Sequence, residues 1–157
     1  MKIALASDHA GFELKDAIGR HLAGRGIVHT DFGSAAGITV DYVDLAEAAV
    51  SSVVSGDNDR AILVCGTGMG MAVVANKFRG IRATVCWNEF TAEMSRRHND
   101  SNCLTLGGRV LAVELGLRLV DIWLDTPFEG GRHARRVDKI KDIEDRFFRA
   151  PSSAPRS

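Results

Sequence analysis

The sequence predicts an α/β fold in which a parallel, doubly wound sheet is covered by helices on both faces. Short apolar runs recur along the chain, stretches with helical spacing separate them, and glycine or polar residues follow several of the apolar runs. Strands and helices that alternate this regularly are joined by right-handed crossovers, which make neighbouring strands parallel.

Five runs rich in Ile, Val, Leu and Ala predict buried strands at 2–7, 26–32, 60–65, 82–87 and 102–106. Helical spacing predicts five helices at 12–22, 42–54, 69–78, 89–98 and 113–124. The more polar segment 131–149, with periodic Val137, Ile140 and Ile143, predicts a C-terminal amphipathic helix. We therefore expect a Rossmann-like five-stranded sheet flanked by helices.

Length and composition limit the organisation and the partners. A chain of 157 residues with 45% hydrophobic content can bury one core, so we expect one domain over 1–149 and a disordered Pro/Ser-rich tail over 150–157. Twenty basic residues balance twenty acidic ones, which argues against nucleic acid or a membrane surface as partner. Met1 and Lys2 lead directly into a strand, and no run reaches the roughly 18 apolar residues of a membrane span. We expect a cytoplasmic protein with three free thiols.

The segment from Cys65 to Gly70, Cys-Gly-Thr-Gly-Met-Gly, follows the third strand, where ligands collect in an open parallel sheet. Its glycines let backbone N–H groups approach an anion, and the start of a helix adds partial positive charge. The same field favours the thiolate form of Cys65, which makes it a candidate catalytic base. A buried structural cysteine at a strand end is the alternative interpretation.

Other loop chemistries fit this segment poorly. It lacks the Lys-Ser/Thr pair of a nucleotide P-loop, and it has G-x-G-x-G where the dinucleotide fingerprint needs G-x-G-x-x-G. A cysteine phosphatase loop would need an arginine six residues after Cys65, but position 71 is methionine. No group of His, Asp and Glu has convincing metal spacing, so we expect neither a metal nor another cofactor.

Two further candidate groups contain histidine and arginine. His98 ends the fourth predicted helix, at the sheet edge opposite Cys65, so a catalytic His98 would serve a neighbouring subunit; helix capping is the alternative. Arg132 and Arg136 lie four residues apart on one helix face and could clamp a phosphate, as could Arg109 after the last strand. A solvated basic face is the alternative.

Over residues 1 to about 148 the sequence closely resembles the type B ribose-5-phosphate isomerases, a family that includes galactose-6-phosphate isomerase subunits. The matching motifs are Ser-Asp-His-Ala-Gly-Phe-Glu-Leu-Lys at 7–15, Asp-Tyr at 41–42, Ile-Leu-Val-Cys-Gly-Thr-Gly-Met-Gly at 62–70, Ala-Asn-Lys at 75–77, Gly-Ile-Arg-Ala at 80–83, His-Asn-Asp at 98–100, Gly-Gly-Arg at 107–109, and Gly-Arg-His at 131–133 with Arg136.

The resemblance implies a role for each matching residue. Cys65 would move the proton between C1 and C2 of the sugar, and His98 would help to open the furanose ring. Asp8 and Thr67 would assist at the sugar oxygens. The backbone groups that would stabilise the enediolate belong to Gly66, Gly68, Met69 and Gly70. The implied phosphate contacts are His9, Arg109, Arg132 and Arg136, and the implied sugar contacts are Tyr42 and Asn99.

The resemblance also implies the substrate class and the assembly. The site of the family lies between two subunits, so a homodimer with shared active sites is expected, and assembly of two dimers into a tetramer stays open. Interconversion of D-ribose 5-phosphate and D-ribulose 5-phosphate through a cis-enediolate is favoured. Val43, Met69 and Trp87 occupy positions that differ among relatives. An isomerase of allose 6-phosphate, galactose 6-phosphate or a tetrose phosphate is therefore the alternative, and a non-catalytic sugar-phosphate or nucleotide sensor is the alternative from another class.

Overall fold

The computed structural model describes residues 1–33 and 40–148, and within these ranges strands and helices alternate. The strands are β1 (Lys2–Ser7), β2 (Val28–Asp31), β3 (Arg60–Cys65), β4 (Ala83–Val85) and β5 (Cys103–Gly107). The helices are α1 (Phe12–Gly24), α2 (Tyr42–Val54), α3 (Met69–Ala75), α4 (Glu89–Asn99), α5 (Val113–Asp125) and α6 (Arg132–Phe147). The predicted α/β class is confirmed. Residue 149 and the predicted tail 150–157 lie outside the described residues.

All five strands of the described sheet are parallel and lie in the order β2-β1-β3-β5-β4. The strand order reverses direction between β1 and β3, so the loops that follow these two strands diverge and leave a crevice at the carboxyl edge. Asp8 and Cys65 border this crevice, and Asp8 N donates to Val64 O at 3.3 Å. The glycine loop therefore lies at the edge where the sequence predicts it.

The core consists of two apolar layers, one on each face of the sheet. Along β1, Ile3 and Leu5 point to the layer with α1 and α5, while Ala4 and Ala6 point to the layer with α2 and α3. The same alternation along β3 assigns Cys65 to the α2/α3 layer. Strands buried on both faces read as continuous apolar runs, and for this reason the sequence identifies them.

Three elements are shorter than the sequence predicts. β2 and β4 are edge strands with four and three paired positions, because each has a partner on one side only. α3 ends at Ala75, and the side chain of Asn76 then binds the backbone of Ala83 twice, each bond 2.9 Å long. This side chain turns the end of α3 towards β4.

Helix α6 packs less completely than the other long helices. Only His133 and Val137 are buried along it, while Ile140 is 40% and Ile143 is 47% exposed. These two isoleucines line an apolar groove of about 350 Å³ with Phe148. Among the described helices, none combines the length and apolar character that crossing a membrane requires.

Candidate active site

The sulfur of Cys65 lies against the backbone of the glycine loop. Cys65 Sγ accepts a hydrogen bond from Gly68 N at 3.1 Å, and Met69 N donates to Thr67 Oγ1 at 3.3 Å. Gly68 has a positive φ of 83°, which glycine adopts without strain and which turns its N–H towards the sulfur. A backbone donor beside the sulfur stabilises a thiolate.

The three cysteines have different environments. All three are buried, but burial raises the pKa of the Cys86 thiol, and complete burial raises that of Cys103 even further. Cys65 is 6% exposed and ends a strand at the crevice. Cys65 therefore borders the crevice, where the sequence predicts a catalytic cysteine, and its role as the base stays a prediction.

Tyr42 and Arg109 flank the glycine loop on two sides. A Cβ at Gly70 would lie 2.8 Å from the Tyr42 ring, so this ring covers the start of α3. Arg109 N donates to Gly66 O at 3.0 Å, and the Arg109 side chain passes close to Gly66. Both side chains are more than a third exposed and free to meet a ligand.

Asp8 and His9 form the turn that follows β1. Asp8 Oδ1 accepts hydrogen bonds from Ala10 N at 2.9 Å and Gly11 N at 3.0 Å, which fixes the carboxylate at the crevice. Asp8 is almost completely buried, whereas His9 is exposed. The carboxyl edge thus brings together Asp8, His9, Tyr42, the loop from Cys65 to Gly70 and Arg109.

The remaining predicted residues lie at the opposite edge of the same chain. α4 starts after β4 and ends before β5, so His98 and Asn99 lie beside the amino ends of the strands. At that edge Ala61 N donates to Asn102 O, while Cys65 pairs with Gly107 at the other end. The predicted separation of His98 from Cys65 is confirmed.

The end of α4 is held by an ion-paired turn. Asp100 has a left-handed φ of 47°, a conformation that aspartate tolerates better than most side chains. Its carboxylate pairs with Arg82 at 2.8 Å and Arg96 at 2.9 Å, and Arg82 Nε also donates to Asn99 O. The predicted capping role of this segment is therefore present, and it fixes the backbone that carries His98.

His98 lies in a cluster that the sequence interpretation did not identify. Its ring stacks on the His133 ring with centroids 4.1 Å apart and planes inclined by 3°. Glu129 Oε2 lies 3.8 Å from His98 Nε2 and 3.5 Å from His133 Nε2. A helical i, i+4 spacing joins Glu129 and His133, but Glu129 precedes the helix, so the spacing alone gave only a weak signal.

Charges around this cluster have clear causes. A hydrogen bond from Arg97 holds the pKa of Glu129 below its usual value, and burial together with the charges of His98 and Arg132 lowers the pKa of His133. Arg132 Nε also lies 3.2 Å from His133 Nε2. The lowered pKa favours the neutral form of His133, whose Nε2 then accepts this hydrogen bond. Arg132 and Arg136, on the same helix, are both exposed.

The same cluster has a spacing that metal ions can bridge, since one ligand atom from each of His98, Glu129 and His133 lies within 4.8 Å of the others. Arg132 occupies the lone pair of His133, and Arg97 binds Glu129 through Nε at 2.6 Å. Two guanidinium groups at this distance oppose a divalent cation. The expectation of a metal-free protein stays a prediction.

Comparisons with known proteins identify a family for this chain. Residues 3–140 match the family model described as Ribose/Galactose Isomerase. Ribose-5-phosphate isomerase B of Escherichia coli K12 is 46% identical over 145 residues, which are 92% of this chain and 97% of that protein. D-erythrulose-4-phosphate isomerase of Pectobacterium atrosepticum is 38% identical over 141 residues, 89% of this chain and 93% of that protein.

A solved structure of Clostridium thermocellum ribose-5-phosphate isomerase B superposes with a TM-score of 0.91 at 49% identity, covering 94% of this chain and 99% of that one. The fold, the glycine loop and these likenesses define an enzyme of the sugar-phosphate isomerase class. More narrowly, the chain belongs to the ribose/galactose isomerase family.

Proposed function

We propose that this enzyme interconverts D-ribose 5-phosphate and D-ribulose 5-phosphate through a cis-enediolate, with Cys65 as the catalytic base. The observation that carries the proposal is the 3.1 Å hydrogen bond from Gly68 N to Cys65 Sγ at the mouth of the crevice. The E. coli and C. thermocellum relatives, whose names specify this sugar phosphate, support the choice of substrate.

The proton transfer uses the sulfur and the amides around it. The Cys65 thiolate removes the C2 proton of the open-chain aldose, and the electron pair moves onto the C1 carbonyl oxygen. The O2 proton then passes to O1, and the thiol returns its proton to C1, which leaves the ketose carbonyl at C2. Thr67 and the loop amides donate to the oxyanion as its charge develops.

Ring opening must precede this step, because the aldose phosphate is mostly a furanose in water. His98 donates a proton to the ring oxygen as the C1–O4 bond breaks, and the C1 hydroxyl loses its proton to form the aldehyde. Asp8 accepts that hydroxyl proton through the oxygen that its two backbone bonds leave available. Tyr42 and Asn99 contact the sugar.

The site requires two subunits, because one chain holds Cys65 and His98 at opposite edges of its sheet. His9 and Arg109 of one subunit, together with Arg132 and Arg136 of the other, bind the phosphate in this homodimer. Large apolar side chains exposed near the glycine loop are consistent with such an interface. They are Tyr42, Met69, Trp87, Phe90 and Val110.

Two clefts of about 630 and 640 Å³ among the described residues are not lined by Cys65. One of about 630 Å³ lies between Glu93, Arg97, Asp121 and Thr126, on the side of α4 and α5. It is lined mainly by acidic side chains, which would repel a phosphate. A crevice completed by a second subunit explains why the chemistry lies elsewhere.

Replacing Cys65 by alanine tests the proposal directly. We expect kcat with ribose 5-phosphate to fall about 10²- to 10⁴-fold, the usual contribution of a positioned base, with little change in KM. The assay follows ribulose 5-phosphate formation in the presence of a chelator. Cys86→Ala is the matched control, since its thiol lies in the core, and full activity of Cys65→Ala would end the assignment.

A second substrate class is kept because the P. atrosepticum relative is named for a four-carbon sugar phosphate. Trp87 is 45% exposed, and its Nε1 lies 3.5 Å from Thr67 O, so the indole ring borders the glycine loop. In this position the ring limits the length of the sugar that the site accepts. Values of kcat/KM for tetrose, pentose and hexose phosphates, allose and galactose 6-phosphate included, decide between these substrates. The best substrate is the one with the highest kcat/KM.

A further inference from the structure

The cluster around His98 contains the carboxylate of Glu129, to which the proposed mechanism assigns no role. We propose that Glu129 is a positioning residue that holds the His98 imidazole in the orientation for ring opening, with the His133 ring as a flat support behind it. This inference rests on the proposed function, since it concerns the way in which His98 is presented to the sugar.

The geometry around Glu129 leaves its carboxylate little freedom. Arg97 Nε donates to Glu129 Oε1 at 2.6 Å, and Glu129 N donates to Arg97 O at 3.1 Å. Side chain and backbone of Glu129 are thus fixed to the residue that immediately precedes His98. The other oxygen, Oε2, then faces the Nε2 atoms of both histidines.

His98 is confined from two directions as a result. Glu129 Oε2 lies 3.8 Å from Nε2 at one edge of the ring, and the parallel His133 ring covers one face at 4.1 Å. Because the His98 ring is confined at its Nε2 edge and at one face, Nδ1 is the nitrogen that donates the proton to the sugar. A displacement of about 1 Å in a catalytic group costs up to roughly 10²-fold in rate, so such confinement matters.

His133 suits the role of support because it stays neutral. It is 4% exposed, and its Nε2 accepts from Arg132 Nε at 3.2 Å. A second imidazolium stacked on His98 would repel it, whereas a neutral ring stacks without that cost. The charged groups that face the histidine pair are Glu129, Arg97, Arg132 and Arg136.

The chain offers a matched control for Glu129. Arg97 pairs with two glutamates, Glu93 at 2.7 Å and Glu129 at 2.6 Å, but only Glu129 reaches the histidines. Glu93→Gln and Glu129→Gln each remove one ion pair of Arg97 and change the charge equally. A difference between the two variants therefore reports the contact with His98 rather than the loss of an ion pair.

The experiment measures two reactions with the intact protein. Isomerisation of ribose 5-phosphate requires ring opening, whereas incorporation of solvent deuterium at C1 of ribulose 5-phosphate starts from an open chain and needs only the base. For Glu129→Gln we expect kcat of isomerisation to fall about 10-fold or more at nearly constant KM, with the exchange rate unchanged within about 2-fold. Glu93→Gln should match the wild-type protein in both reactions.

Other outcomes separate the two hypotheses. If Glu129→Gln behaves like Glu93→Gln, or if exchange falls in parallel with isomerisation, Glu129 does not position His98 for ring opening. If the wild-type protein performs neither reaction, the proposed function itself is wrong. If His98→Asn loses exchange as much as isomerisation, the ring-opening role of His98 is wrong, and the role of Glu129 with it.

Discussion

At the scale of single residues, the three cysteines show how environment assigns a role to a side chain. Cys65 Sγ accepts a backbone N–H at a sheet edge, while Cys103 is completely enclosed in the α2/α3 layer of the core. Enclosure disfavours the charged thiolate, and an N–H donor favours it. Within one sheet, cysteine is therefore a candidate base at position 65 and an inert core side chain at position 103.

Burial raises the pKa of Cys103, so the free energy of unfolding depends on pH in the alkaline range. Below about pH 8.5 both the folded and the unfolded protein keep this proton, and the full stability is present. As pH rises further, the unfolded chain loses the proton while the folded protein retains it, so the free energy of unfolding falls by about 1.4 kcal/mol per pH unit.

Urea unfolding at several pH values between 8 and 10.5 measures this slope. The Cys103→Ala variant should have a shallower decline than the wild-type protein, whatever its loss of stability at neutral pH. Equal slopes in the two proteins would show that burial of this thiol has no such effect.

Sequence motifs identified the residues at the carboxyl edge of the sheet, because most of them are close to one another in the sequence. Cys65, Thr67 and the three glycines of the loop follow one another along the chain, so spacing alone indicates an anion-binding turn. Glu129 was missed for a physical reason. The role proposed for Glu129 depends on the packing of α6 on α4, and a tertiary contact leaves no periodic pattern in the sequence.

At the scale of elements, helix α2 and helix α3 meet where Tyr42 covers Gly70. In an isolated helix, alanine in place of glycine gains about 1 kcal/mol. Here the added Cβ would lie 2.8 Å from the ring, and overpacking of this kind costs about 1–3 kcal/mol. The contact should therefore reverse the usual effect of the substitution.

A double-mutant cycle tests this reversal. Gly70→Ala should lower the free energy of unfolding in the wild-type background and raise it in the Tyr42→Ala background, with both values read from urea unfolding curves. Gly56→Ala is unsuitable as a control, because Gly56 has a positive φ of 85°. Gly24, which has open space around it, is suitable. A stabilising Gly70→Ala in both backgrounds would contradict the proposed packing.

Element boundaries were predicted best where burial alone decides them. β1 and β3 begin and end where their apolar runs do, since both are central strands with neighbours on each side. β4 has three residues instead of the predicted six, because it is an edge strand paired with β5 on one side only, and its ladder ends with the bond from Cys86 N to Thr105 O at 3.2 Å. Apolar content indicates that a strand exists, whereas pairing determines its length.

At the scale of the whole molecule, the fold divides the predicted site between two edges. A parallel sheet with α4 running back along it must separate the end of β3 from the end of α4. The length of a strand keeps Cys65 and His98 of one chain apart, whatever the conformation of their side chains. In the proposed homodimer, a second copy supplies its His98 to this Cys65, and a two-fold interface forms two equal sites.

Mixing two inactive variants tests this shared site. Cys65→Ala and His98→Asn each disable both sites of their own homodimer, but a mixed dimer contains one site with an intact Cys65 and an intact His98. After unfolding and refolding an equal mixture, about half of the dimers are mixed, and one of their two sites works. We expect about a quarter of wild-type isomerase activity to return, assuming random pairing.

Each variant refolded alone is the control, and size-exclusion chromatography reports the assembly state. If both residues acted within one chain, every site of the mixed dimer would lack one of them, and mixing would restore nothing. A monomeric wild-type protein with full activity would contradict the shared site equally. Recovery should require refolding, because folded dimers exchange subunits slowly when the interface is large and apolar.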